Sequence, residues 1–227
     1  MKTIIVIGGS KGIGNAIIKK LLNHSKVINI SRTSPEETHA NLIHYSCDIT
    51  KEDLPEIESA DGLIYCPGSI NLKPISRLTI DDFKNDFEIN VIGAVKSIQK
   101  YLPILKKGNN PAIVLFSTVA AKLGMPFHAS IATSKAGVEG LVKSLGAELA
   151  PTIRINAIAP TVTNTQLASK LLRNDKMIEN ITERHPLKKF LNPDEVADMA
   201  EFLISEKTAS LSGQIFEMDC GIVSFKI

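Results

Sequence analysis

The chain has 227 residues, 44% of them hydrophobic and 22% charged, with 26 Lys+Arg against 24 Asp+Glu. That balance excludes wholesale disorder, and a net charge of +2 gives no sign of a nucleic-acid or anionic-membrane partner. No apolar run reaches the roughly 18 residues of a membrane span, and Cys47, Cys66 and Cys220 are too far apart for a zinc cluster or a disulfide framework, which fits a reducing cytoplasm.

The N-terminus enters an apolar run without the small-residue cleavage pattern of a signal peptide. Residues 3–7 predict a buried strand that runs into Gly8-Gly9-Ser10-Lys11-Gly12-Ile13-Gly14 and a helix over 15–22. Further Ile/Val-rich strands follow at 26–30, 42–46, 62–66, 112–116, 153–158 and 214–218. Between them the apolar spacing predicts helices over 81–101, 133–149 and 193–205, the last with Asn192 as cap and Pro193 in its first turn. The segment from Asp48 to Gly62 is too short for a full crossover helix, and 161–190 reads as an irregular lid. Strand and helix alternation predicts one α/β domain over 1–227, a doubly wound Rossmann fold with a seven-stranded parallel sheet and helices on both faces.

The glycine loop has the context of a phosphate site: strand before, helix after, in the first βαβ unit. Glycines let the backbone approach a pyrophosphate, and the helix N-terminus offers free N–H groups. The second strand ends Ser31-Arg32, where an acidic residue would hold the ribose hydroxyls of NADH. Arg32 and Lys11 suit the 2′-phosphate of NADPH instead; the alternative is that both are ordinary solvated charges.

These residues resemble the short-chain dehydrogenase/reductase family, over nearly the whole chain. The glycine loop (Gly8, Ser10, Lys11, Gly12, Ile13, Gly14) is similar to its cofactor signature. Asp48-Ile49 looks like its adenine-contacting pair, and Asn90-Val91-Ile92-Gly93 like its N-x-x-G. Cys66-Pro67-Gly68 stands at its N-A-G turn, and Arg154 to Pro160 at the stretch leading to the nicotinamide, with Thr163 and Thr165 beyond it. Pro186-Leu187, residues 193–197 and Asp219-Cys220-Gly221 look like its late elements. The resemblance implies an NADP-dependent oxidoreductase, a small-molecule substrate, no metal, and a homodimer or homotetramer built on the helices at 81–101 and 133–149.

The family's Y-x-x-x-K departs here. Ile131-Ala132-Thr133-Ser134-Lys135 supplies the Lys and puts Ile131 at the Tyr position; thirteen residues earlier, where a Ser is usual, stands Thr118 beside Ser117. The resemblance thus gives a tetrad of Asn90, Thr118, Ile131 and Lys135, with Lys135 on the nicotinamide ribose. Isoleucine cannot donate the proton a nascent alkoxide needs, a contribution of ~10²–10⁴ in rate. The tyrosines Tyr45, Tyr65 and Tyr101 belong to two strands and a helix end, away from the site. His128, seven residues before Lys135, is a candidate donor, against the alternative of a loop residue facing solvent. Ser130 and Thr118 can orient a substrate, and Met125, Pro126 and Phe127 either line a pocket or pack a loop. Two functions stand open: an oxidoreductase whose substrate needs no strong enzyme acid (an activated C=C, an iminium, a substrate with its own acid), or a cofactor-binding sensor or partner subunit without turnover.

Overall fold

A computed structural model describes residues 1–225. Seven parallel strands form one sheet in the order β3-β2-β1-β4-β5-β6-β7. They are β1 (Lys2–Ile7), β2 (Ser25–Ser31), β3 (Leu42–Ser46), β4 (Gly62–Tyr65), β5 (Ala112–Phe116), β6 (Arg154–Pro160) and β7 (Ile215–Met218). Alternate residues of β1 feed opposite layers: Ile5 and Ile7 face one core, Ile4 and Val6 the other. Each fully buried Ile contributes ~1.5–3 kcal/mol, which is why both faces must be covered.

Helices α1 (Gly12–Leu21) and α6 (Pro193–Ile204) cover one face through Ile17, Ile18, Leu21, Val196, Ala200 and Leu203. Helices α2 (Ile80–Phe87), α3 (Gly93–Leu105) and α4 (Ala129–Glu148) form the other layer, where Ile98, Leu105, Val138 and Val142 reach the sheet. Glu195 accepts from the Asn192 N–H and closes the start of α6 at 2.9 Å. The chain leaves β1 toward β2 and β3 and returns on its other side at β4, so the C-terminal ends of β1 and β4 frame the switch-point crevice.

Three local expectations are corrected. The helix expected over 81–101 is α2 and α3 joined by a π turn, Glu88–Ile92. The Asn90 side chain donates to the Asp86 carbonyl at 2.7 Å and satisfies it inside the widened turn. Helix α4 begins at Ala129, four residues before Thr133, so His128 is its N-cap residue. Residues 161–190, expected to be irregular, hold a short 3₁₀ turn (Gln166–Ala168) and helix α5 (Asp175–Arg184), capped by the Asn174 side chain on the Met177 N–H at 3.0 Å. Between β3 and β4 no helix forms, as the spacing implied; Leu54 and Ile57 pack there against the core. Close packing also sets Gly93, since a Cβ there would lie 2.1 Å from the Tyr65 hydroxyl, which donates to the Ile89 carbonyl at 2.6 Å.

Candidate functional site

The glycine loop turns from β1 into α1 at the head of the crevice. A Cβ on Gly14 would sit 2.3 Å from the Gly8 carbonyl, so the first helical turn lies directly against the strand end. Lys11 precedes the helix in extended conformation without a side-chain cap, and the first turn holds no acidic residue. Its N–H groups are therefore left to an anion, and the residues present fit a dinucleotide pyrophosphate.

From the loop a groove runs over the ends of β2 and β3. Ser10, Lys11, Ser31, Arg32, Asp48, Ile49, Cys66 and Gly68 line it. Lys11 and Arg32 are exposed, and neither enters an ion pair among the described residues. Ser31 belongs more to the scaffold than to a ligand: its buried hydroxyl accepts from Asn29 and donates to the Thr33 carbonyl, both at 2.9 Å. Asp48 is held as a carboxylate, below its ordinary range, by the Thr50 hydroxyl and N–H. Thr165 lies against the loop, 3.2 Å from where a Gly12 Cβ would stand.

The groove opens into a second, mostly apolar pocket. Ile13, Cys66, Gly68, Thr118, His128, Ile131, Lys135, Pro160, Thr163 and Thr165 all line it, together with Met125. Lys135 is buried, donates to the Phe116 carbonyl at 2.8 Å, and is pushed down to about 8 by that burial. Asn90 donates to the Asp86 carbonyl and to Ser69, while its buried Oδ1 has no partner. A Cβ on Gly68 would lie 3.5 Å from both Asn90 Oδ1 and Lys135 Nζ, so the two polar atoms converge on one point of the pocket wall. Burial pushes the Cys66 thiol up to about 12, which makes it inert beside them.

Ile131 is 6% exposed and forms apolar wall of the pocket. No tyrosine lines the pocket among the described residues: Tyr65 and Tyr101 donate to the Ile89 and Pro55 carbonyls, and Tyr45 stands on the exposed edge of β3. His128 is half-buried; its Nδ1 donates to the Pro126 carbonyl at 2.7 Å, which leaves Nε2 for a ligand. Thr118 is partly spent on structure, its hydroxyl accepting the Ala120 N–H. One expectation fails here. Ser130 does not line the pocket; it is buried and donates to Asp86 Oδ2 at 2.5 Å. Of residues 125–127 only Met125 reaches the pocket, and Phe127 is 55% exposed.

Several neighbours escaped the sequence reading. Ser69 lines the pocket and donates to Asp86 Oδ1 at 2.6 Å, and Glu139 accepts from Ser117, the neighbour of Thr118, at 2.7 Å. Leu167 lines both spaces and joins them. The one available signal was Asp86 itself, an acidic residue one helical turn before Asn90, on a face that must be buried.

A doubly wound sheet with a glycine turn at its switch point is the architecture of a dinucleotide-binding domain. A family model described as enoyl-(acyl carrier protein) reductase matches residues 9–223, and the chain belongs to the short-chain dehydrogenase/reductase family. The 2,5-dichloro-2,5-cyclohexadiene-1,4-diol dehydrogenase of Sphingobium indicum is 26% identical over 98% of this chain and 97% of its own. Thermoplasma acidophilum aldohexose dehydrogenase, solved ligand-free, superposes with a TM-score of 0.91 at 28% identity, over 99% of this chain and 95% of that one. A 4-hydroxyisoleucine dehydrogenase complexed with NADH superposes at 0.89 with 25% identity, over the full length of both chains.

Proposed function

We propose that the protein is an NADPH-dependent oxidoreductase with an altered proton-donor site, acting on a small carbonyl, imine or activated C=C substrate. The observation that carries this reading is one continuous path: the glycine turn, then a groove flanked by unpaired Lys11 and Arg32, then a pocket where Lys135 and Asn90 converge. The turn and Ser10 would hold the pyrophosphate, Lys11 and Arg32 the 2′-phosphate, and Asp48 and Ile49 the adenine. Lys135 would hold the nicotinamide ribose, with Thr163 and Thr165 at the carboxamide end. A bound dihydronicotinamide would supply hydride. Lys135 keeps a positive charge near the reacting oxygen below about pH 8, and His128, whose Nδ1 proton is held by the Pro126 carbonyl, would bring a proton through Nε2 as the imidazolium. A homodimer or homotetramer in the cytoplasm is part of the same reading.

One observation favours a second reading, a cofactor-binding protein with impaired turnover: Ile131 is pure wall, and the Ser130 hydroxyl is turned away into Asp86.

Calorimetric titration with NADPH and NADH tests the first step. The expected result is tighter NADPH binding, and a roughly ten- to hundredfold loss for NADPH with little change for NADH in Arg32→Asp, the size of one charge-assisted contact. Equal losses would remove the 2′-phosphate assignment, and no binding of either would remove the oxidoreductase reading.

A further inference from the structure

Four of the hydroxyl groups that line the pocket share one orientation, while the Thr165 hydroxyl, at the glycine-loop end, accepts from the Ala168 N–H. Ser69 donates to Asp86 Oδ1 at 2.6 Å. Ser117 donates to Glu139 Oε1 at 2.7 Å. Thr163 donates to the Thr161 carbonyl at 3.0 Å. Thr161 faces His185 Nε2 at 2.7 Å, and the other ring nitrogen lies 2.7 Å from the Ile181 carbonyl. In the neutral ring that carbonyl fixes the proton on Nδ1, so Nε2 accepts from Thr161. Four pocket hydroxyls thus spend their protons on the protein, two of them on carboxylates, where the bond is charge-assisted and hardest to redirect.

An alcohol with its proton committed has only lone pairs left to offer. Ser69 is the clearest case: one lone pair receives the Asn90 amide at 3.1 Å, the proton goes to Asp86, and the remaining lone pair belongs to the pocket. Asp86 is 3% exposed and pinned from its far side by Ser130, so this arrangement cannot swing. A ligand carbonyl or ether oxygen meets only lone pairs there, and a ligand hydroxyl meets an acceptor. The Lys135 ammonium lines the same pocket and disfavours a cationic donor.

Resting on the oxidoreductase reading above, we infer that Ser69, oriented by the buried Asp86 carboxylate, selects substrates that carry a free hydroxyl beside the reacting carbon: polyols and hydroxy-carbonyl compounds rather than simple ketones. Ser69 contacts the substrate; Asp86 is a positioning residue that acts through it.

The test compares two probes of matched size on the NADP⁺ complex, trans-1,2-cyclohexanediol and 2-fluorocyclohexanol, in which fluorine replaces one hydroxyl and removes its proton. NMR-detected titration should show the diol binding about tenfold tighter to the wild-type protein, the value of one hydrogen bond. Ser69→Ala should bring the two affinities within about twofold by weakening the diol. Asp86→Ala should narrow or invert the ratio with Ser69 still present, because the Ser69 proton is then free to face the pocket, while Ser130 keeps the Asp82 carbonyl at 3.3 Å as an acceptor. A wild-type complex that binds both probes equally, or neither, overturns the inference, as does a ratio that both variants leave unchanged. NADP⁺ affinity measured first in each protein separates this from failure of the cofactor reading: loss of NADP⁺ binding in the wild type condemns that reading, whereas intact NADP⁺ binding with an unselective pocket condemns only the role of Ser69.

Discussion

The two ends of the crevice are built by different means. At the glycine loop the working parts are backbone: a helix N-terminus brought against a strand end, with Gly14 allowing the approach. In the pocket beyond Lys135 the working parts are side chains from the loop after β4, from α2, from the end of β5 and the residues after it, from α4 and from the segment after β6, tied to one another by hydrogen bonds. The first kind of site tolerates almost any change except added bulk. The second rests on several mutually bonded members, so one wall residue such as Ile131 can change without altering its shape. Under the proposed function, that difference lets the proton path change while the cradle is kept.

The largest test of that contrast adds a phenol to the pocket. Ile131→Tyr should raise reduction of simple activated ketones by ~10²–10⁴, the usual worth of general acid catalysis. Steady-state assays with NADPH measure it; no gain in a variant that still binds NADPH would mean that the pocket differs in more than its tyrosine.

A second test concerns the buried ammonium. The fall of Lys135 from 10.5 to about 8 corresponds to roughly 3 kcal/mol at most. Below pH 8 the residue is charged in both folded and unfolded chains, and the cost of burying that charge is fully present. Between about pH 8 and 10.5 the folded chain holds it neutral while the unfolded chain binds the proton, so stability from this group rises with pH. Lys135→Met should therefore melt higher than wild type at pH 7, by an amount that shrinks toward pH 10, while losing cofactor affinity. A melting difference that is flat with pH would refute the burial account.

The smallest effect belongs to the backbone end. Gly14→Ala forces a methyl against the Gly8 carbonyl and should cost about 1–3 kcal/mol of stability together with NADPH affinity. An alanine variant with unchanged NADPH affinity would show that the cradle is looser than its geometry implies.

The centre of the sheet was readable because β1 and β5 carry Ile and Val runs that no exposed segment could carry, and the cradle because glycine spacing reports backbone geometry directly. Helix α5 was less visible: it is polar, buries no residue completely, and announces itself only through Asn174 and the Met177, Ile178, Ile181 spacing. The π turn left no mark in the apolar period because Asn90, a polar residue, occupies it. The Ser69–Asp86–Ser130 link joins residues 17 and 44 positions apart through hydroxyl groups. Serines occur everywhere in a sequence, and only the fold shows which ones face a carboxylate.

The contact between Gly93 and Tyr65 carries one more consequence. The two named residues of the N-x-x-G tetrapeptide meet different demands. Asn90 ties the buried start of the turn to Ser69 and the Asp86 carbonyl, while Gly93 makes room for a phenol that braces the π turn from the sheet side. A substitution at Asn90 would therefore disturb the pocket through Ser69, whereas any side chain at Gly93 would first push the Tyr65 phenol off the turn and so disturb the fold.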